Sequence, residues 1–148
     1  MLLFERRRIN IRSMNEGDVD HYYEQIEMDE TEKKNHIKEI KKIIRKSPKE
    51  PTAEGMLLLV ACEPGNNRMI GTILTKNLGK GKISLQVSFP NKSKEISYGK
   101  EVVDQFIKVC KKEPFFETIK YVKLDAKSEI IQKYMNEKEI TSSFVCVE

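Results

Sequence analysis

Ile83-Ser84-Leu85-Gln86-Val87-Ser88-Phe89, then Pro90, then Asn91-Lys92-Ser93-Lys94-Glu95-Ile96-Ser97 running into Tyr98-Gly99-Lys100-Glu101, is the stretch that decides the fold. Ile83, Leu85, Val87 and Phe89 alternate with Ser84, Gln86 and Ser88, the two-residue period of a strand with one buried face. Beyond Pro90 the period changes. Val102, Val103, Phe106, Ile107 and Cys110 form one apolar stripe, which predicts a helix over Tyr98–Lys112, closed by Glu113-Pro114. The polar residues Asn91 to Ser97 read as a loop between strand and helix.

Working outward towards the N-terminus, Gly79-Lys80-Gly81 makes a turn, preceded by a strand at Met69–Thr75. Before it, Glu63-Pro64-Gly65-Asn66-Asn67 has hairpin composition, and Met56–Cys62 is a continuous apolar run, as in a strand covered on both faces. Ser47-Pro48 and Glu50-Pro51 stop a helix expected from about Thr31 to Lys46, with Ile37, Ile40, Ile43 and Ile44 on one face. A shorter helix carries Val19, Tyr22, Tyr23 and Ile26 behind a turn and N-cap at Asn15-Glu16-Gly17-Asp18, and Ile9–Arg12 alternates as a first strand. Towards the C-terminus the pattern predicts a strand at Ile119–Leu124, a helix at Ser128–Met135 and a strand at Ile140–Val147. Hairpin-linked strands followed by a crossover helix and a further strand imply an α+β fold in α/β/α layers. Its central sheet is mixed and mostly antiparallel, with helices on both faces. No linker or repeat divides the chain, so residues 1–148 read as one domain.

Composition narrows the function classes. Hydrophobic residues make up 39% and charged residues 34%, and the apolar residues are clustered, which argues against disorder. No apolar run approaches the ~20 residues of a membrane span. Met1-Leu2-Leu3-Phe4 precedes Arg6 to Arg8, the wrong order for a secretory signal, so a soluble cytoplasmic chain is expected. Cys62, Cys110 and Cys146 are far apart, and His21 and His36 are the only histidines, which argues against zinc or any other metal. Cys62 in an apolar strand and Cys110 on an apolar helix face read as buried structural thiols. The net charge of +4 lies largely in Lys33 to Lys49, where Glu39 is the only acid, and reads as a solvated helix face. It is too diffuse for a nucleic-acid reader and lacks interleaved aromatics.

The element order, together with Lys94-Glu95-Ile96-Ser97-Tyr98-Gly99, resembles the GNAT superfamily of acyl-CoA N-acyltransferases. In that family the loop reads Arg/Gln-x-x-Gly-x-Gly/Ala and opens the long helix. Here Lys94 stands at the first position, Ser97 replaces the first glycine and Gly99 matches the second; Tyr98-Gly99-Lys100-Glu101 resembles the family's Tyr-Gly-x-Glu. The resemblance implies acetyl-CoA as co-substrate, its pyrophosphate held by Lys94, Glu95, Ile96, Ser97, Tyr98 and Gly99, with Lys92 and Lys100 adding charge. Orphan amides and the positive dipole end make a helix N-terminus an anion site. Val87 and Phe89 would flank the pantetheine arm. Ile11-Arg12-Ser13-Met14 and the following Asn15 to Asp18 resemble the family's opening pattern.

A second match lies downstream. Family members often carry Asn-x-x-Ala-x-x-x-Tyr after the next strand, where the tyrosine is general acid to the departing thiolate. Here Lys127 replaces the Asn, Ile130 the Ala, and Tyr134 falls on the tyrosine, although four residues after Ile130 it also fits the helix's apolar face. The family's Gly-Phe after this helix is absent, with Lys138-Glu139 roughly in its place. What remains is short for a closing hairpin, which leaves room for a partner subunit to complete the substrate side; a homodimer is the common assembly. The implied reaction is direct transfer to a neutral primary amine of a small molecule or protein, which needs a proton acceptor. Glu24, Glu27 and Glu63 are candidates that spacing does not separate, and each also reads as a solvated acid. The alternative is a degenerate fold that binds acyl-CoA or a protein partner without turnover.

Overall fold

The computed structural model describes residues 9–46, 56–63, 68–112, 119–125 and 128–147. The stops at Ser47-Pro48, Glu50-Pro51 and Glu113-Pro114, the turn residues Pro64 to Asn67, and Lys127 lie outside them. In chain order the elements are β1 (Asn10–Ser13), α1 (Glu16–Glu24), α2 (Glu30–Lys46), β2 (Met56–Cys62), β3 (Met69–Gly79) and β4 (Lys82–Ser88). These are followed by α3 (Lys92–Lys112), β5 (Tyr121–Leu124), α4 (Glu129–Glu137) and β6 (Phe144–Cys146). This is the expected order.

The strands form one sheet in sequence order. All neighbours run antiparallel except β4 and β5, which are parallel because α3 carries the chain back to the starting end. Gly79, Lys80 and Gly81 all have positive φ, which suits the two glycines and closes the β3–β4 turn as expected. Strand alternation then sorts the side chains. Leu57, Leu59, Ile73, Ile83, Leu85, Val122 and Leu124 join Val102, Val103 and Phe106 of α3 and Ile131 of α4 in the main core. Leu58, Thr72, Leu74, Gln86 and Ser88 face the other way, towards α1 and α2. The fold is therefore α+β with helices on both faces.

Three boundaries differ from expectation by more than two residues, the first two for a local reason. Helix α3 starts at Lys92 rather than Tyr98, because the Asn91 side chain accepts from the Lys94 amide at 2.8 Å and caps a turn begun six residues earlier. The last strand is confined to Phe144–Cys146, because Lys138 to Ile140 close α4. The Glu139 amide bonds to the Asn136 carbonyl at 3.3 Å and the Ile140 amide to the Met135 carbonyl at 2.8 Å, with Glu139 at φ 56°. That is a Schellman closure with glutamate in the left-handed position. Strand β3 runs on to Gly79, four residues past the expected end.

At the N-terminal side, Arg12 of β1 grips Asp18 of α1 through two bonds of 2.7 and 2.8 Å. Asp18 also accepts from the Asn15 amide while the Asn15 side chain accepts from the Asp18 amide, a reciprocal capping box. Burial pushes the Asp18 carboxyl up, but the Arg12 and Asn15 bonds outweigh it and hold it below its ordinary value. Cys62 and Cys110 are buried and Cys146 is exposed; all three are free thiols. Among the described residues no helix is long and apolar enough to cross a membrane.

Candidate functional site

The parallel pair β4–β5 supplies the first part of the site. Their register runs from Lys82↔Tyr121 to Leu85↔Leu124 and stops, whereas β4 continues to Ser88. The Gly81 carbonyl accepts from the Tyr121 amide at 3.1 Å, so strand alternation turns the N–H and C=O of Ile83, Leu85 and Val87 towards the β5 side. At Val87 no strand stands there among the described residues. An unpaired backbone amide on a rigid strand is a pre-aimed donor for a carbonyl oxygen. Phe89 lies just beyond, its ring so close to Gly71 of β3 that a Cβ there would meet it at 2.9 Å.

The N-terminus of α3 follows Phe89 and Pro90. The residues expected as a phosphate loop are helical here, which is a correction of shape. The Glu95 amide bonds back to the Asn91 carbonyl at 3.2 Å, and the amides from Ile96 to Lys100 are spent on helical bonds to the preceding turn. The orphan donors of α3 are therefore those of Lys92 and Ser93, upstream of the expected ones. Lys92 lies between two acids, 2.7 Å from Glu95 and 3.3 Å from Glu129 at the start of α4. These bonds raise its own pKa, the Glu95 bond foremost. Two helix N-termini thus meet at one lysine, because Ser128 caps α4 by accepting from the Ile131 amide.

The other predicted residues of this segment disperse around the helix. Lys94 is half-buried, and Ile96 and Ser97 face solvent, Ile96 with 70% of its surface exposed. Tyr98 reaches the end of β2, its hydroxyl 3.5 Å from Glu63 Oε1. Lys100 is paired with Glu137 of α4. Gly99 is buried against Ile130, so the glycine has a packing reason that needs no phosphate. The structure brings Val87, Phe89 and the start of α3 to one end of β4, while Lys94 to Lys100 wind through almost two turns of helix.

Tyr134 is buried between α4 and α3. Burial first, then the negative charge of the Asp104 carboxylate, push the phenol up to about 12. Asp104 also pairs with Lys108 at 3.0 Å. The phenol therefore keeps its proton throughout the physiological range.

On the opposite face, α1 and α2 span a mainly apolar cavity of about 300 Å³. Tyr22, Tyr23, Ile40, Ile43, Leu58 and Leu74 form its walls, with Gln86 and Ser88 of β4 also lining it. Of the three candidate bases, Glu24 and Glu27 are exposed and Glu63 lies beside Tyr98; none lines this cavity. Asp18 does, but it is committed to Arg12.

Sequence reasoning missed Asn91, Asp104 and the Arg12–Asp18 clasp. Asn91 after proline was a visible cap signal, masked by the polar run behind it. Nothing local marks Asp104, whose role arises only when α4 packs on α3.

No protein-family model and no curated protein matches the sequence. Solved structures do match. The N-acetyltransferase PseH of Campylobacter jejuni superposes with TM-score 0.58 at 12% identity, over 89% of this chain and 86% of that one. A point mutant of the Vibrio cholerae spermidine N-acetyltransferase SpeG gives TM-score 0.60 at 10% identity, over 91% and 79%. The spermidine N-acetyltransferase of Vibrio cholerae in complex with CoA and spermine gives 0.54 at 9%, over 80% and 71%. At such identities the likeness is one of architecture, and this chain has the fold of the GNAT N-acetyltransferases.

Proposed function

We propose that this protein transfers an acetyl group from acetyl-CoA to a primary amine of a small molecule or protein. The observation that carries the reading is the end of β4, where Val87 turns its amide to a side with no strand partner among the described residues, next to the capped start of α3. The structural neighbours named as acetyltransferases, one of them with CoA bound, support it.

The residues fit the co-substrate unevenly. Val87 and Phe89 would flank the pantetheine arm, and the amides of Lys92 and Ser93, with Lys94, would take the pyrophosphate. Glu95, Ile96, Ser97, Tyr98, Gly99 and Lys100 support that turn from within the helix instead of lining a loop. Bound acetyl-CoA supplies the thioester. The chain's part is to hold the carbonyl oxygen at the Val87 amide and admit a neutral amine. Tyr134 is the proposed acid, holding a proton that a thiolate can take. The amine proton leaves to water. A cytoplasmic setting suits three free cysteines, and a homodimer is the assembly we expect.

A second reading, a module that binds acyl-CoA or a partner without turnover, is favoured by Lys92 being paired with two acids, Gly99 being covered and Tyr134 being buried beside Asp104. Calorimetry with acetyl-CoA, followed by thiol release across a panel of amines, separates the two. We expect binding and release. Binding without release supports the module, and no binding at near-millimolar acetyl-CoA ends both coenzyme readings.

A further inference from the structure

The cavity between α1, α2 and the sheet has a chemistry that the backbone site does not specify. Ile40 and Ile43 of α2 point into it and remain only half-buried, so the helix does not use up its own apolar face in packing. Tyr22 and Tyr23 of α1, their rings edge-to-face at 5.4 Å between centroids, form a rigid wall. The volume of about 300 Å³ lies at the lower end of the ~300–1,000 Å³ of small-molecule sites.

Charge then selects among amines. Among the described residues lining the cavity, Asp18 is the one acid, and both its oxygens are engaged by Arg12 and the Asn15 amide. The remaining charged residue is Lys76, a cation. A chain bearing several ammonium groups would meet no free carboxylate and one like charge, and a buried unpaired cation is costly. An uncharged aryl or alkyl body has apolar walls to meet. Gln86 and Ser88 flank Val87 on one strand, so a ligand seated here has its end beside the part of β4 that β5 leaves uncovered among the described residues.

Resting on the transfer reading above, we propose that the acceptor is a monoamine carried on an uncharged apolar body, seated between Tyr22, Ile40 and Leu74, and that polyamines are excluded. This separates the chain from the spermidine acetyltransferases that share its fold.

The probes are phenethylamine, hexylamine and spermidine. With saturating acetyl-CoA, we expect kcat/KM for phenethylamine to exceed that for spermidine by at least about tenfold. Ile40→Trp and Leu74→Trp, on different elements, should each raise the phenethylamine KM about tenfold or more with acetyl-CoA affinity unchanged. Unchanged coenzyme affinity also certifies folding. A readout independent of turnover is phenethylamine binding to the coenzyme-free wild-type protein, followed by NMR shifts of the Tyr22 and Tyr23 rings. Preference for spermidine overturns the proposal and leaves the transferase reading standing. Phenethylamine binding that shifts these rings without thiol release upholds the cavity and removes the transferase. No shift of these rings at millimolar phenethylamine overturns it, whatever the turnover.

Discussion

Gly99 in the second turn of α3 meets Ile130 in the first turn of α4 so closely that a Cβ built on it would stand 2.8 Å from Ile130 Cδ1 and 2.9 Å from Cγ2. Two helices can approach this far only because one residue has no side chain. Gly99→Ala gains up to ~1 kcal/mol of helix propensity but overpacks the contact, for a net loss of about 1–2 kcal/mol. Adding Ile130→Ala should make the pair less than additive, checked by denaturant unfolding of all four proteins. Acetyl-CoA affinity lost in Gly99→Ala and unrestored in the double variant would instead return the glycine to a phosphate role.

Glu139 offers the opposite sign. A glutamate at φ 56° occupies the left-handed slot of the closure that ends α4. Glu139→Gly relieves that conformation and should raise stability by about 1 kcal/mol, read as a higher urea midpoint at unchanged slope. A lower midpoint would contradict the closure.

The Arg12–Asp18 clasp sets an acid limit. The folded Asp18 carboxyl sits below its ordinary value, so its stabilisation is complete above an unfolded pKa of about 3.9 and fades as pH falls through the lower folded one. Asp18→Asn should cost about 2 kcal/mol at neutral pH and flatten the acid limb below about pH 4. Equal acid limbs in the two proteins would refute the assignment.

Tyr134 tests acid against packing. Its folded pKa of about 12 lies above the unfolded value, so its stabilisation is full below about pH 10 and is lost as pH rises towards 12. Tyr134→Phe should remove this alkaline limb and cost about 1 kcal/mol at neutral pH. It should lower kcat at least about a hundredfold with acetyl-CoA affinity intact. Full turnover would make Tyr134 a packing residue only.

The element order was legible because periodicity is local. The alternation at Ile83–Phe89 and the stripe from Val102 to Cys110 each declare their own structure. The start of α3 was misread because Asn91 to Ser97 carries no apolar stripe. Its helicity comes from the Asn91 cap and the Lys92–Glu95 pair, which periodicity does not see. The neighbours of Gly99 and Tyr134 lie some thirty residues away in sequence and meet them only when α4 docks, so no local signal announces them.

The parallel join of β4 to β5 also has a kinetic meaning. Hairpins can bring β2, β3 and β4 together early, whereas β5 can register beside β4 only after the 21 residues of α3 have formed and docked. We expect the β5–α4–β6 segment to be acquired last, and pulsed hydrogen exchange should find its amides protected after those of β2–β4. A nascent chain would then hold one wall of the proposed coenzyme cleft before the other exists, so competence would be the final step of its folding.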